Sequence, residues 1–318
     1  MLADDSWALR TTLSIPCACG SGLAASRRHN LVVITESDGD HVSSYTLDAG
    51  ALVARVGGRG DGKGQFRLGL GGLCLSPDGD SVLVAESLNN RVQQLSLRTL
   101  EWERFVGEAL IVPQSVDCDA NVLVVSESVN RVSILAWATG ALLRRISGSW
   151  CVNTHPSGLS ALTSLWDPCG IRILGNHTQF AVADCGKKQV CVFTLDAPPE
   201  GAPGCANGFV RVMEGRPPSR GWSFPLDIAP LKTDGDTFVV VFPATSTLAK
   251  VSADGTVLAQ YRNAGDLLQP KAVVVLSDNV LVVGTRDGVK VLHDVGMRMS
   301  WLGLCVNVSE SMHVGKRR

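Results

Sequence analysis

Val82-Leu83-Val84-Ala85-Glu86-Ser87-Leu88-Asn89-Asn90-Arg91-Val92 is a phrase that the chain repeats as Val122-Leu123-Val124-Val125-Ser126-Glu127-Ser128-Val129-Asn130-Arg131-Val132. In both copies an apolar run closes on Glu-Ser, a short turn follows, and Asn-Arg-Val opens the next apolar run. Self-similarity at a period of about forty residues marks a repeat architecture, in which each unit buries its apolar faces against its neighbours. Outward from this phrase, nearly everything between turns is a short Val/Leu/Ile run bounded by Gly, Asp, Asn or Pro. β-Branched side chains fit a pleated, half-buried surface, so these runs read as strands. No window long enough for a substantial helix carries apolar residues at i, i+3, i+4 and i+7.

Four strands are readable in the clearest unit: residues 72–75, 81–85, 91–97 and 102–106, with the Ser76-Pro77-Asp78-Gly79-Asp80 turn after the first. Proline presets φ and glycine accepts positive φ in such a turn. Third strands begin near His41, Arg91, Arg131, Gln189, Thr247 and Gly288, at spacings of 50, 40, 58, 58 and 41 residues. Units of this kind bury both faces by stacking radially. The expected fold is therefore all-β, a six-bladed β-propeller of four-stranded antiparallel blades. Residues 6–15 read as a strand that joins the last blade and closes the ring, which removes a free sheet edge. Residues 297–302 read as a further strand of the sixth unit. Three insertions rich in Gly, Pro and Ser, at 147–164, 196–207 and 215–223, account for the longer spacings. Residues 1–304 then form one domain and 305–318 a short C-terminal tail.

A 318-residue chain with 45% hydrophobic and 19% charged residues has ample material for a core and lies outside the composition of disordered chains. Its formal net charge of -1 gives no global field toward nucleic acid or an acidic membrane. Asp4 and Asp5 stand where a secretory leader carries Lys or Arg, and no window approaches the ~18 apolar residues of a membrane span. The ten cysteines include no Cys-x-x-Cys pair and no zinc spacing with histidine. A reduced, cytoplasmic chain is the expectation.

Glu36, Glu86, Glu127 and Asp184 each end a second strand, which places four carboxylates around one rim. Such a ring can bind a cation weakly. It can equally accept hydrogen bonds from the turn that follows, and recurrence with the blade favours this structural role. Arg91 and Arg131 can form a basic stripe for phosphates or pair with those carboxylates, and the pattern breaks at Thr247 in the fifth unit. Trp150, Trp166 and Trp222 lie in or beside the insertions that join consecutive units. An aromatic-bearing loop face is a docking surface, unless each indole fills a gap between blades. The six histidines form no paired motif, and no Gly-x-Ser-x-Gly elbow occurs.

The segment Gly58-Arg59-Gly60-Asp61-Gly62-Lys63-Gly64-Gln65-Phe66 together with Glu86-Ser87-Leu88-Asn89-Asn90-Arg91-Val92 resembles the signature of NHL-repeat β-propellers. Units two and three carry the likeness well, units one and four in part, and units five and six keep only the strand rhythm, with Pro243 and Thr285 near the acidic position. The resemblance implies an interaction platform. The leading expectation is a monomeric, non-enzymatic scaffold that binds a protein or peptide on its loop face, with no cofactor and no membrane partner. The alternative is a metal-assisted hydrolase or lyase at the central channel. Single-stranded RNA binding is third, because aromatic residues for base stacking make up only 5% of the chain.

Overall fold

The computed structural model describes residues 7–36, 39–67, 69–107, 109–147, 165–196, 209–213, 224–231, 237–263 and 265–295. Among them, 24 strands form six four-stranded antiparallel sheets arranged as the blades of a propeller. Blade one holds β2 (Cys19–Ser26), β3 (Leu31–Glu36), β4 (His41–Thr46) and β5 (Leu52–Gly57). Blade two holds β6 (Leu70–Leu75), β7 (Ser81–Glu86), β8 (Arg91–Ser96) and β9 (Trp102–Val106). Blade three follows with β10 (Pro113–Cys118), β11 (Val122–Glu127), β12 (Arg131–Ala136) and β13 (Leu142–Ser147). Blade four comprises β14 (Pro168–Ile173), β15 (Gln179–Asp184), β16 (Gln189–Thr194) and β17 (Phe209–Met213). Blade five comprises β18 (Asp227–Pro230), β19 (Thr237–Phe242), β20 (Thr247–Ser252) and β21 (Val257–Arg262).

Blade six is built from both ends of the described chain. Its inner three strands are β22 (Ala272–Ser277), β23 (Val280–Thr285) and β24 (Gly288–Asp294), and its outer strand is β1 (Leu9–Ile15). The expected closure by an N-terminal strand is therefore observed. The further strand read at 297–302 lies outside the described residues. Beyond the ladder, Trp7 Nε1 donates to Asp294 Oδ2 at 2.9 Å and Lys290 Nζ to Ser14 Oγ at 2.8 Å. The Trp7 amide also reaches Gln260 O of blade five at 2.8 Å, tying the closing strand to two blades.

Period-two alternation explains why a blade cannot stand alone. On β7, Val82 and Val84 enter the core shared with blade one, whereas Leu83 and Ala85 enter the core shared with blade three. Both faces are thus buried, and so is every residue of β7. Six apolar clusters result, each drawn from two adjacent blades, including the pair formed by blades six and one. A fully buried Val, Leu or Ile contributes about 1.5–3 kcal/mol, so the ring rests on blade-to-blade contact. Inner strands approach closely where they lack side chains. A Cβ on Gly71 would sit 2.2 Å from Gln114 O, and one on Gly22 would sit 2.4 Å from Gly71 O.

Two faces follow from the strand order. Turns between second and third strands lie on the same face as the connectors from one blade to the next; we call this the loop face. The turns at 27–30, 76–80 and 119–121 lie on the opposite face. No described helix is long and apolar enough to cross a membrane. Deleting residues 1–15 removes β1 and bares the β24 edge; the expected result is loss of a single cooperative thermal transition and concentration-dependent association in size-exclusion chromatography. Leu83→Ala, which empties one inter-blade core, should cost about 2–5 kcal/mol in urea unfolding.

Candidate functional site

The repeated phrase is a clamp on the connectors of the loop face. Glu86, Glu127 and Asp184 are the last residues of β7, β11 and β15, and each is fully buried. Glu127 takes Arg131 Nε on Oε1 at 2.8 Å and Arg131 Nη2 on Oε2 at 2.6 Å, and it also accepts from Ser133 Oγ and from the Ile111 amide. Ile111 belongs to the connector from blade two. The next amide, Val112 N, donates to Asn90 Oδ1 at 2.8 Å, and Asn90 belongs to blade two. Consecutive amides of one connector are therefore held by a carboxylate of the following blade and an asparagine of the preceding blade. The next connector repeats the device: Trp166 N donates to Asp184 Oδ2 at 2.9 Å and Asp167 N to Asn130 Oδ1 at 3.1 Å.

Local geometry explains the residue types. Asn90 and Asn130 stand at φ of 54° and 59°, left-handed positions that asparagine adopts at lower cost than most residues. Val112 has φ of 50°, a conformation disfavoured for a β-branched side chain. Its amide is held by Asn90, and its carbonyl accepts the Ser128 amide at 3.0 Å. Arg91 shows the same logic from the cation's side. Its Nε donates to Glu86 Oε1 at 2.9 Å, while its terminal nitrogens reach Asp61 O, Gly62 O and Gln65 O of the connector from blade one. Arg91 also lies over Phe105, 4.1 Å from the ring centroid. Arg91 and Arg131 are each only 15% exposed. In blade one the arrangement varies, since Glu36 accepts from Ser43 Oγ and from Arg55 of the outer strand.

Blades five and six show what the carboxylate adds. Phe242, not Pro243, closes β19 at the equivalent position, and Thr285 closes β23. The turn after Phe242 nonetheless keeps the 3-10 geometry seen after Glu86, and Ser246 takes the left-handed position at φ of 48°. The backbone turn thus forms without the carboxylate.

The clamps leave apolar side chains outward. Leu88 and Val129 occupy the turns between clamp residues, and Ile111 and Trp166 are residues whose amides are clamped; all four are exposed, Trp166 at 65%. Phe224 and Leu268, in the next two connectors, are exposed as well. Lys188 Nζ sits 4.8 Å from the Phe224 ring centroid. Among the described residues, six exposed large apolar side chains lie on the loop face and one, Val295, on the opposite face; the rest are on outer strands. Trp150 and Trp222 lie outside the described residues.

A second cluster, absent from the sequence reading, lies on the inner strands around the channel. Arg172 of β14 donates through Nη2 to Asp227 Oδ2 of β18 at 3.0 Å and through Nη1 to Ile171 O at 2.7 Å. Asp227 Oδ2 also accepts the Val273 amide at 3.0 Å, while Oδ1 is buried without a hydrogen-bond partner. Asp117 of β10 accepts the Ile173 amide at 2.7 Å. Burial pushes the Asp117 carboxyl up to about 6; Arg172 and the Ile173 and Cys118 amides pull it down, and Asp227 pushes it further up. Burial also raises Asp227, and it pushes Asp184 up to about 6 against the amides of Trp166 and Lys187. On the neighbouring inner strands, Cys74 Sγ lies 3.8 Å from Cys118 Sγ. Cys74, Cys118, Cys169, Cys185 and Cys191 are thiols and not half-cystines. Among the described residues, no group of three or more His, Cys, Asp or Glu side chains is arranged to hold a metal ion.

No family profile matches the chain, and no curated protein sequence is significantly similar to it.

Three outcomes follow from the clamp and the channel. Glu127→Ala strands the Arg131 guanidinium and should cost about 3–5 kcal/mol of stability. Asn130→Ala, which loses one hydrogen bond and a favourable left-handed residue, should cost about 1–2 kcal/mol. Both are read by urea unfolding. For Asp117, the folded pKa lies above the unfolded value, so folding takes up a proton as pH falls from about 6 toward 4. Ionisation of this group therefore costs stability as pH rises through that window. Asp117→Asn keeps the acceptor for Ile173 without the charge. Its stability relative to the unsubstituted chain should increase from pH 5 to pH 7.5, and an unchanged difference would contradict the assignment.

Proposed function

We propose that the chain is a non-enzymatic interaction scaffold of the NHL-repeat type, acting as a cytoplasmic monomer that binds a protein or peptide partner on the loop face. The observation that carries the reading is the asymmetry of exposed apolar side chains, with Leu88, Ile111, Val129, Trp166, Phe224 and Leu268 all on that face. Apolar and aromatic side chains at fixed positions are what an interface core needs. The clamps supply the fixity, because the Ile111 and Trp166 amides are bound to buried carboxylates while their side chains face solvent. The NHL likeness supports the same reading through the connector at 58–66 and the Glu-Ser-x-Asn-Asn-Arg-Val phrase, whose residues make the contacts just described.

The two other readings draw less support. For a metal-assisted reaction in the channel, Asp117 and Asp227 are the available carboxylates, and the Arg172 guanidinium already donates to Asp227. For RNA, Trp166 and Phe224 offer stacking surfaces, whereas Arg91 and Arg131 direct their donors to carboxylates and carbonyls. A photo-crosslinking amino acid placed at Trp166, at Leu268 and, on the opposite face, at Thr99 separates these readings in living cells. Polypeptide crosslinks from the first two positions and none from Thr99 are expected. Crosslinks confined to Thr99, or to RNA, would overturn the proposal.

A further inference from the structure

At the mouth of the channel, on the loop face, a cavity of about 450 Å³ opens among blades one to three. Its wall includes Ser21, Leu70, Gly71, Leu88, Val112 and Gln114, and none of the residues lining it is charged. Its floor is largely backbone, because Gly71 packs against the main chain of Gln114 too closely for a Cβ. Two of the three polar side chains here, Ser87 and Gln114, are turned to one another. Ser87 Oγ donates to Pro113 O at 2.7 Å, and Gln114 Nε2 donates to Ser87 Oγ at 3.5 Å. With the Ser87 hydroxyl and the Gln114 amide nitrogen engaged and only the Ser21 hydroxyl beside them, a charged group entering the cavity would lose water and meet no opposite charge. The volume lies within the range of small-ligand pockets and is ample for one large side chain. Leu88, 56% exposed, forms an apolar lip.

The surroundings of the cavity carry the opposite character. The connector that enters it at Gly69 bears the exposed cations Arg59, Lys63 and Arg67 against one exposed carboxylate, Asp61, which lies 3.5 Å from Arg67. Lys63 leans over the Trp102 ring of the outer strand, 4.2 Å from its centroid and away from the channel, so the connector's cations on the cavity side are Arg59 and Arg67. The nearby carboxylates Glu86 and Glu127 are buried and neutralised by Arg91 and Arg131, so they do not offset this excess. An apolar socket beside a basic strip is complementary to an apolar side chain with carboxylates next to it.

We propose that this cavity seats a large uncharged side chain, aliphatic or aromatic, of a peptide segment whose flanking residues are acidic. The proposal rests on the scaffold reading and narrows it to one socket and one partner chemistry. The full chain is panned against a phage-displayed library of random linear peptides, and enriched peptides are then titrated by fluorescence polarisation. Enriched sequences should share Leu, Ile, Met, Phe or Trp within two positions of Asp or Glu. Ser21 is exposed, so Ser21→Trp should fill the socket without disturbing the blade, which an unchanged thermal transition checks. Leu88→Asp provides an independent variant at the lip. Each should weaken binding about tenfold to a hundredfold, the value of one buried anchor. Arg59→Glu with Arg67→Glu should reverse the preference for acidic flanks. Affinity unaffected by both socket variants overturns the socket while leaving loop-face binding intact, provided Trp166→Ala still reduces it. Basic or small anchors, or no enrichment at all, overturn the socket too, and the crosslinking pattern then decides the wider reading separately.

Discussion

Two neighbouring amides in the connector between blades two and three, those of Ile111 and Val112, are held by Glu127 of one blade and Asn90 of the other. Much else on the loop face depends on this division. A propeller is a ring of sheets whose apolar cores lie between blades, and such cores are poorly directional because hydrophobic burial follows area and not angle. Direction comes from the buried carboxylates. Each is removed from water and needs donors: Glu127 takes them from Arg131 and the Ile111 amide, Glu86 from Arg91 and Asn89, and Asp184 from the Trp166 and Lys187 amides. The connector is thereby fixed to the blades on both sides, and the residues it carries are fixed with it.

Structural and functional roles therefore coincide in the repeated phrase without competing. Glu127 and Asp184 point inward and hold backbone, whereas the Ile111 and Trp166 side chains point outward and remain accessible. The basic character that Arg91 and Arg131 suggest on paper is neutralised by this arrangement. Exposed cations remain on this face elsewhere, among them Arg59 and Arg67 in the connector at 58–67 and Lys188 in the turn of blade four. The channel obeys a different logic. Asp117, Arg172 and Asp227 bring charge into the interior of blades three to five, and the raised carboxyls there record the desolvation that remains uncompensated.

Strand rhythm was legible wherever a strand is buried on both faces, as in β7, β11, β15, β19 and β23, because such strands carry near-continuous runs of Val, Leu, Ala and Phe. Inner strands were legible only in blade two. β10, β14 and β18 contain Pro113, Pro168, Gly170, Asp117, Arg172 and Asp227, which read as turn or surface residues in a linear sequence. They are tolerated because an inner strand faces the channel with one edge unpaired and its neighbours very close. The channel cluster was missed for the same reason. Its one available signal was a charge set inside an apolar run, as in Ile171-Arg172-Ile173.

What the sequence determined by itself is the blade: a forty-residue unit, its second and third strands, and the carboxylate and Asn-Arg pair at their turn. Those features are local, since period-two burial and left-handed asparagine act over a few residues. The tertiary structure alone decided which groups meet across blades. That Asn90 reaches Val112, that Arg172 reaches Asp227, and that β1 completes the sheet of β24 are consequences of ring closure. Ring closure brings together residues as far as 287 positions apart, as in Trp7 with Asp294, whose pairing leaves no trace in local pattern.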